Sequence, residues 1–317
     1  MVQSVAGKID LEPAEPKRIE LKDAGPQQGN EVAQLALVLG CDRTQRTILQ
    51  HRYMAYPLSV SPVFRLDAQD SSAEAHRQKR AYLYRMNTSP GLLAGDKLRI
   101  TIHLKDNSTL HLADQSATKV HRMPQMETAA QVAYEVQLEA GAGLEFLPEP
   151  VILFEDAALL QTTEIVVAPS SGLCWGEIVL PGRWARGECY QFREFTSRVR
   201  VRDLDGQLVF AETMKLLGKE NRFAQSALFS AAPVLGSLIV RLPVAMATRE
   251  ALAALQQKID AIASAADVTA ASTVLPDGQG VFVRAMAQRS QAMQTCFKEV
   301  ASAVRQQAGE VPLPYAV

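Results

Sequence analysis

Apolar and polar residues alternate along the chain from about residue 33 onward, and this period of two predicts β-strands. The cleanest runs cover residues 98–104 and 132–139, where every second side chain is apolar. Near residue 200, alternating valines and arginines lead into Asp205-Gly206, a dipeptide suited to a tight hairpin turn. Shorter apolar runs predict further strands at 35–38, 110–112, 165–167, 178–180 and 238–242. Many short strands separated by turn residues are typical of a sandwich, a barrel or a solenoid.

The last third of the chain has the longer period of a helix. Four apolar residues recur every three or four positions and predict a helix near residues 248–264: Leu252, Leu255, Ile259 and Ile262. Thr248 stands where its side chain would cap the first turn. A second stripe predicts a helix near residues 287–306, formed by Met293, Phe297, Val300 and Val304. The predicted fold class is therefore mainly β with two C-terminal helices, α+β overall.

Residues 1–30 differ from the rest of the chain, since they are polar, contain several prolines and glycines and have no sustained period. We predict a flexible N-terminal extension there, followed by a single β-rich domain over residues 31–317. Hydrophobic residues make up 47% of the chain and charged residues 21%, which is ordinary for a globular protein with a buried core.

Charge and cysteine content argue against several classes of protein. The formal net charge of −1 provides no basic field for binding nucleic acid or an anionic membrane. No apolar run approaches the roughly 20 residues that cross a bilayer. The N-terminus lacks the basic and apolar pattern of a secretory signal. The four cysteines are scattered, without a Cys-x-x-Cys pair, and indicate reduced thiols in a cytoplasmic protein.

Common catalytic and nucleotide-binding motifs are missing from the sequence. Gly218-Lys219 is followed by Glu220, so the chain has no phosphate-binding loop of the Walker type. There is no Gly-x-Ser-x-Gly nucleophile motif. None of the five histidines is spaced four residues from another, the spacing that places two metal ligands on one helical face.

Acidic residues carry the most promising chemistry in the sequence. Five of them stand in stiff turns or at strands: Asp96, Glu149, Glu177, Glu188 and Glu212. Carboxylates held in this way coordinate a hard or borderline dication, although weakly where imidazole and thiolate ligands are missing. The alternative for each acid taken alone is that it caps a turn or pairs with an arginine such as Arg183, Arg186 or Arg193.

Five short segments rich in proline, glycine and charged residues follow one another along the chain. They are Thr-Ile-Leu at 47–49 with Tyr-Pro-Leu at 56–58, Ser-Pro-Gly-Leu-Leu-Ala-Gly-Asp at 89–96, Gln-Ser-Ala-Thr-Lys-Val-His-Arg at 115–122, Leu-Glu-Phe-Leu-Pro-Glu-Pro at 144–150, and Gly-Arg-Trp-Ala-Arg-Gly-Glu at 182–188. In this order and at these separations they resemble the motifs of the UreD (UreH) family of urease accessory proteins. The chain departs from the family pattern at Leu92, where a second glycine is usual, and at Val120 and His121, which replace two aromatic residues.

The resemblance implies a scaffold rather than an enzyme. Proteins of this family bind the urease apoprotein and a second accessory protein, UreF, which recruits the nickel-carrying GTPase UreG. The expected function is nickel insertion into apo-urease within a dimer of heteromers. No cofactor is expected to stay bound, and nickel ion is expected in transit. The implied fold is an irregular β-helix-like stack of many short strands with two helices.

The resemblance also implies a route for nickel through the interior of the scaffold. Family positions on this route match Asp96, Thr118, Glu177 and Glu212, and motif membership and chemistry add Glu149 and Glu188. Weak, transient nickel binding is expected at Asp96, Glu177 and Glu212, and His121 is a further candidate ligand. Because buried carboxylates are unfavourable without partners or water, we expect the acids to line one continuous hydrated tunnel.

Two other functions stay open at the level of the sequence. One is a conformational scaffold or adaptor for urease without a metal conduit, in which the acids are structural. The other is a β-rich glycan hydrolase that uses two carboxylates as acid and base. A sugar-binding cleft usually contains aromatic residues, and these make up only 6% of the chain, with Trp175 and Trp184 as the two tryptophans.

Overall fold

The structure, a computed structural model, describes residues 33–67, 79–125 and 127–314. The N-terminal extension predicted for residues 1–30 lies outside the described residues. The strands of the described part, in chain order, are β1 (Leu35–Cys41), β2 (Thr47–Met54), β3 (Leu58–Val60), β4 (Ala81–Asn87), β5 (Lys97–Leu104), β6 (Thr109–Asp114), β7 (Thr118–Val120), β8 (Ala130–Leu138), β9 (Gly143–Leu147), β10 (Val151–Leu153), β11 (Ala158–Val167), β12 (Gly172–Leu180), β13 (Glu194–Asp203), β14 (Leu208–Leu216), β15 (Val234–Arg241), β16 (Val268–Val274) and β17 (Gly280–Ala287).

Within the described residues these strands form two sheets. The first sheet contains seven strands in the order β14-β13-β11-β8-β5-β1-β2. The second sheet contains ten strands, eight of them in the order β16-β17-β15-β12-β9-β6-β4-β3, and β10 joins β12 and β7 to this sheet. Both sheets mix parallel and antiparallel neighbours.

Apart from the three-residue strands β7 and β10, which both belong to the second sheet, successive strands from β4 to β13 alternate between the two sheets. In the second sheet β4, β6, β9 and β12 lie side by side and parallel. In the first sheet β5, β8, β11 and β13 do the same. The chain therefore winds as a β-helix-like coil in which each turn adds one long strand to each sheet, and β7 and β10 are short additions to the second sheet. The predicted fold class is confirmed, as is the hairpin at Asp205-Gly206, which joins the antiparallel strands β13 and β14.

The period of two places one row of side chains from each strand in the space between the sheets. Every second side chain of β5, from Leu98 to Leu104, is at most 9% exposed. Trp175 of β12 and Phe195 of β13 are each 1% exposed. The rings of Trp175 and Phe146 lie 4.5 Å apart in the same core. A polar residue at one of these inward positions must therefore find its hydrogen-bond partners between the sheets.

The described residues contain three α-helices: α1 (Ala227–Ala231), α2 (Arg249–Ala265) and α3 (Ser290–Gln307). The two C-terminal helices confirm the prediction. Thr248 caps α2, because its Oγ1 accepts a hydrogen bond from the N–H of Ala251 at 3.1 Å. Ile259 of α2 and Phe297 of α3 are buried in a cluster with side chains of the second sheet. The helix α1 escaped prediction because its five residues are too few to show a period. No described helix is long and apolar enough to cross a membrane.

A buried cluster of charged side chains connects α3 to the second sheet. Arg305 is 2% exposed and donates to both carboxylate oxygens of Glu145, at 2.7 and 2.6 Å. Glu145 also lies 3.2 Å from Arg80 and 2.9 Å from Nδ1 of His111. Burial acts to raise the pKa of Glu145, but the two arginines and His111 hold it well below its usual range. The carboxylate is therefore charged and fully engaged.

Candidate functional site

A small cavity lies between the two sheets and has a volume of about 40 Å³. This internal cavity is bounded by apolar side chains such as Ile100, Phe146 and Phe195. Its polar lining includes Arg85, Asp114, Thr118, Glu149, Gln161 and Glu177. One water molecule needs roughly 10–15 Å³ by this measure, so the cavity has room for about three.

Glu177 faces this cavity because of its position in β12. Trp175 and Val179, two residues away on either side, face the core, and the period of two turns Glu177 the same way. Its carboxylate accepts a hydrogen bond from Nε2 of Gln161 at 2.6 Å and from Oγ of Ser197 at 2.9 Å. Burial raises the pKa of Glu177, and these hydrogen bonds only partly oppose the effect. A cation nearby would favour the charged carboxylate.

Arg85 and Asp114 form an ion pair in the lining of the same cavity. They are direct partners in the parallel strands β4 and β6, and Arg85 donates from Nε and Nη2 to the two Asp114 oxygens at 2.6 and 2.8 Å. Arg85 also donates from Nη1 to the hydroxyl of Tyr134. Burial acts to lower the pKa of Arg85, but Asp114 and Tyr134 more than offset it, so the pKa is raised and the guanidinium stays charged.

Three of the six predicted transit residues line the internal cavity: Thr118, Glu149 and Glu177. They come from β7, from the segment between β9 and β10, and from β12. The coil of alternating strands brings these distant parts of the chain to one place. Their role in carrying nickel, and a continuous tunnel, stay predictions.

Asp96 lies outside the residues that line this cavity. Its Oδ2 accepts a hydrogen bond from the N–H of Leu93 at 2.7 Å and so closes the turn that precedes β5. Its backbone carbonyl accepts from the N–H of Gln131 at 2.8 Å. The contact of the carboxylate fits the alternative in which this acid holds a turn in place.

Glu188 also has local partners instead of a place in the cavity lining. It accepts two hydrogen bonds from the side chain of Arg183, at 2.6 and 2.9 Å, and one from the N–H of Glu155 at 3.0 Å. The hydrogen bond from Arg183 is the main reason that the pKa of Glu188 falls to about 2. A Cβ at Gly182 would lie 2.3 Å from the carbonyl oxygen of Glu188, so this turn requires glycine.

Glu212 lies in the middle of β14, which continues to Leu216. Its carboxylate forms an ion pair with Arg284 of β17, which belongs to the other sheet. The charge of Arg284 also acts on Glu177 and lowers its pKa, against the effect of burial. Glu212 is therefore connected to Glu177 through Arg284 without lining the internal cavity.

His121 has a local partner as well. Its Nε2 lies 3.0 Å from the carbonyl oxygen of Pro90, and its ring meets that of Phe154 edge-on at 5.1 Å. In the part of the chain that the structure describes, no group of three or more His, Cys, Asp or Glu side chains is placed to hold a metal ion. Nickel binding by single carboxylates and water would be weak.

Four residues of the site were not among the sequence predictions: Arg85, Asp114, Gln161 and Ser197. The position of Asp114 could have been inferred from the sequence, since it continues the inward-facing row of Leu110 and Leu112 in a predicted strand. The position of Arg85 could not, because β4 itself was not predicted.

The family model described as UreD urease accessory protein matches residues 31–316. The chain belongs to the UreD family. It is 40% identical over 283 residues to a urease accessory protein UreD of Trichodesmium erythraeum, and the match covers 89% of this chain and 97% of that protein. It is 30% identical over 270 residues to a urease accessory protein UreD of Haloarcula marismortui, with 84% of each chain covered. The relatives in this family are named as accessory proteins of urease and not as enzymes, so membership of the UreD family agrees with the prediction of no enzyme and argues against the glycan hydrolase.

Proposed function

We propose that this protein is a scaffold for nickel insertion into apo-urease and that nickel passes through its internal cavity. The observation that carries the proposal is the meeting of Thr118, Glu149 and Glu177 in the lining of one cavity between the sheets. Membership of the UreD family supports the role in urease maturation. The passage through the interior rests on the cavity.

The charges around the cavity suit a dication. Its lining contains the carboxylates of Asp114, Glu149 and Glu177 and one cation, Arg85. An isolated charge between two apolar sheets is unfavourable, and an arriving dication together with water would offset the charge of these acids. At about 40 Å³ the cavity is too small for a fully hydrated ion, so a passing cation would exchange part of its water shell for carboxylate oxygens.

The remaining parts of the proposal come from the family. The protein would bridge the urease apoprotein to UreF and, through UreF, to the GTPase UreG, in a dimer of heteromers in the cytoplasm. It would hold no permanent cofactor, and nickel would be its cargo. The hydrolysis of GTP by UreG would release nickel into the scaffold.

The first test compares cells that express a urease operon with and without this gene. Urease without the accessory protein is expected to be inactive and poor in nickel, and both properties should recover when the gene is restored. The measurements are urease activity and the nickel content per urease active site. Fully loaded urease in the absence of the gene would refute the role in maturation.

The second test addresses the passage through the cavity. Glu177→Gln keeps the hydrogen bonds to Gln161 and Ser197 possible but removes the carboxylate, so we expect most of the nickel loading of urease to be lost. Glu164→Gln is the matched control, since this side chain lies on β11 of the other sheet and is 45% exposed. Co-purification with urease and UreF should be unchanged in both variants. Normal nickel loading with Glu177→Gln would contradict a conduit through this cavity.

A conformational scaffold without a conduit is the second candidate function. It is favoured by the local contacts of Asp96, Glu188 and Glu212, each of which is engaged by a turn or an arginine. In that case substitution of these acids would reduce nickel loading only when it also weakens binding to urease or UreF. Co-purification measured beside nickel content separates the two functions.

A further inference from the structure

A second space, the outer groove, adjoins the internal cavity. It has a volume of about 380 Å³ and lies on the opposite face of the second sheet, beside the first turns of α3. Its lining includes Tyr84, His111, Gln115, Gln294 and Lys298. Four residues line both the groove and the internal cavity: Asp114, Pro148, Glu149 and Ile178. These four therefore form the boundary between the interior and the outer face of the sheet.

The ion pair of Arg85 and Asp114 stands on this boundary. The side chain of Arg85 is 10% exposed and that of Asp114 is 4% exposed. The rings of Tyr134 and Phe146 each lie 5.5 Å from the guanidinium carbon and pack against it. Arg85 is thus held by a carboxylate, a hydroxyl and two aromatic rings. Both oxygens of Asp114 accept hydrogen bonds from this guanidinium.

This arrangement governs how a dication would meet the boundary. Glu149 lines both spaces, whereas Glu177 lines only the interior. A cation at Glu149 on its way to Glu177 meets the fixed positive charge of Arg85, and screening is weak at a site this buried. The guanidinium neutralises Asp114 as long as it donates to both carboxylate oxygens, so Asp114 attracts a second cation only weakly.

We propose that Arg85 is a gate between the outer groove and the internal cavity, and that a divalent cation passes only when the guanidinium releases Asp114. The released carboxylate then binds the cation together with Glu149, and Arg85 keeps its contacts with Tyr134 and Phe146. The identity of the cargo rests on the proposed function. The position of the gate rests on the two spaces and the ion pair between them.

The test measures nickel binding to the purified full-length chain by equilibrium dialysis against Ni²⁺. Arg85→Gln leaves a buried carboxylate without its cation, and nickel affinity is expected to rise by about tenfold because the metal replaces the lost charge. Asp114→Asn leaves the guanidinium without its anion, and affinity is expected to fall below that of the wild type. If the ion pair were purely structural, both substitutions would change nickel affinity in the same direction, because either one would only loosen the fold. Affinity no higher than wild type in Arg85→Gln would overturn the gate.

Arg200→Gln is the matched control. Arg200 and Glu164 are also direct partners in neighbouring parallel strands, 3.0 Å apart, but their side chains are 50% and 45% exposed. The nickel affinity of Arg200→Gln should equal that of the wild type. Thermal unfolding monitors the fold of every variant. If a single variant does not fold, Arg85→Gln/Asp114→Asn replaces the ion pair by two amides and is expected to bind Ni²⁺ faster than the wild type when both are mixed with Ni²⁺ in a stopped-flow instrument. An unchanged association rate in that variant would overturn the proposal.

The gate and the proposed function fail in different experiments. If urease is loaded without this gene but the opposite changes in nickel affinity are found, the gate stands and the maturation role fails. If the gene is required but Arg85→Gln and Asp114→Asn change nickel affinity in the same direction, the maturation role stands and the gate fails.

Discussion

Glu177 and Glu188 illustrate how the surroundings of a carboxylate set its charge. Burial between the sheets raises the pKa of Glu177, whereas the bidentate hydrogen bonds of Arg183 lower the pKa of Glu188 to about 2. The charge of Glu188 is satisfied locally, and its side chain is not part of the cavity lining. Glu177 lacks a full positive partner in direct contact, so an arriving dication would lower its pKa and favour the charged carboxylate. Of these two carboxylates, only Glu177 lines the internal cavity.

The lowered pKa of Glu188 leads to a prediction about stability and pH. Because the folded state holds this carboxylate in its charged form, the pair with Arg183 stabilises the fold fully above about pH 4.5, the ordinary pKa of glutamate. This stabilisation is lost as the pH falls toward 2. Glu188→Gln should therefore be less stable than the wild type at pH 7, and the difference in the free energy of unfolding should shrink below pH 4.5. Denaturant unfolding of both proteins at several pH values measures this difference in the free energy of unfolding.

Glu299→Gln is the control for this prediction, since Glu299 is exposed on α3 and the chemical change is the same. A stability difference between wild type and Glu188→Gln that stays constant from pH 7 to pH 3.5 would contradict the assignment of the lowered pKa to the pair with Arg183.

At the scale of the elements, the spacing of apolar residues predicted the strands and helices whose formation depends on residues close in sequence. The alternation of apolar and polar residues predicted the inward-facing rows of β5 and β8. The helical spacing of apolar residues predicted α2 and α3, and the residue type at 248 predicted the cap of α2. Which strands become neighbours is set by the winding of the coil, so the pairing of Arg85 with Asp114, 29 residues apart, was not readable from the sequence. The family resemblance supplied Thr118, which period alone did not single out.

The attachment of α3 to the second sheet gives a prediction at this scale. Arg305→Met removes the charge that engages both oxygens of Glu145 and leaves a buried carboxylate with Arg80 and His111. We expect a loss of about 3 kcal/mol in the free energy of unfolding, the lower end for breaking a buried pair, because Arg80 remains. Arg289→Met, at an exposed residue just before α3, should change stability by less than about 0.5 kcal/mol. Equal effects of the two substitutions would show that the buried cluster does not hold the helix.

For the whole molecule, the coil of alternating strands has an interior and two ends. The interior gathers the polar residues of the candidate site between apolar rows. The ends leave β2 and β14 as the outermost strands of the first sheet among the described strands. Both carry exposed apolar side chains, with Ile48 38% and Leu208 54% exposed. Edge strands with unpaired backbone groups and apolar side chains favour association with other chains.

Association of the isolated chain should therefore begin at these two edges. Ile48→Lys/Leu208→Lys is expected to slow aggregation, because charged side chains on an edge strand oppose further strand pairing. The free energy of unfolding should change by less than about 0.5 kcal/mol per site, since both side chains are partly solvated already. Light scattering during incubation measures aggregation, and Val244→Lys is the control for added charge, because Val244 is 53% exposed in a loop between β15 and α2. If Val244→Lys slows aggregation as much per added lysine, net charge and not the open edges governs association of this scaffold.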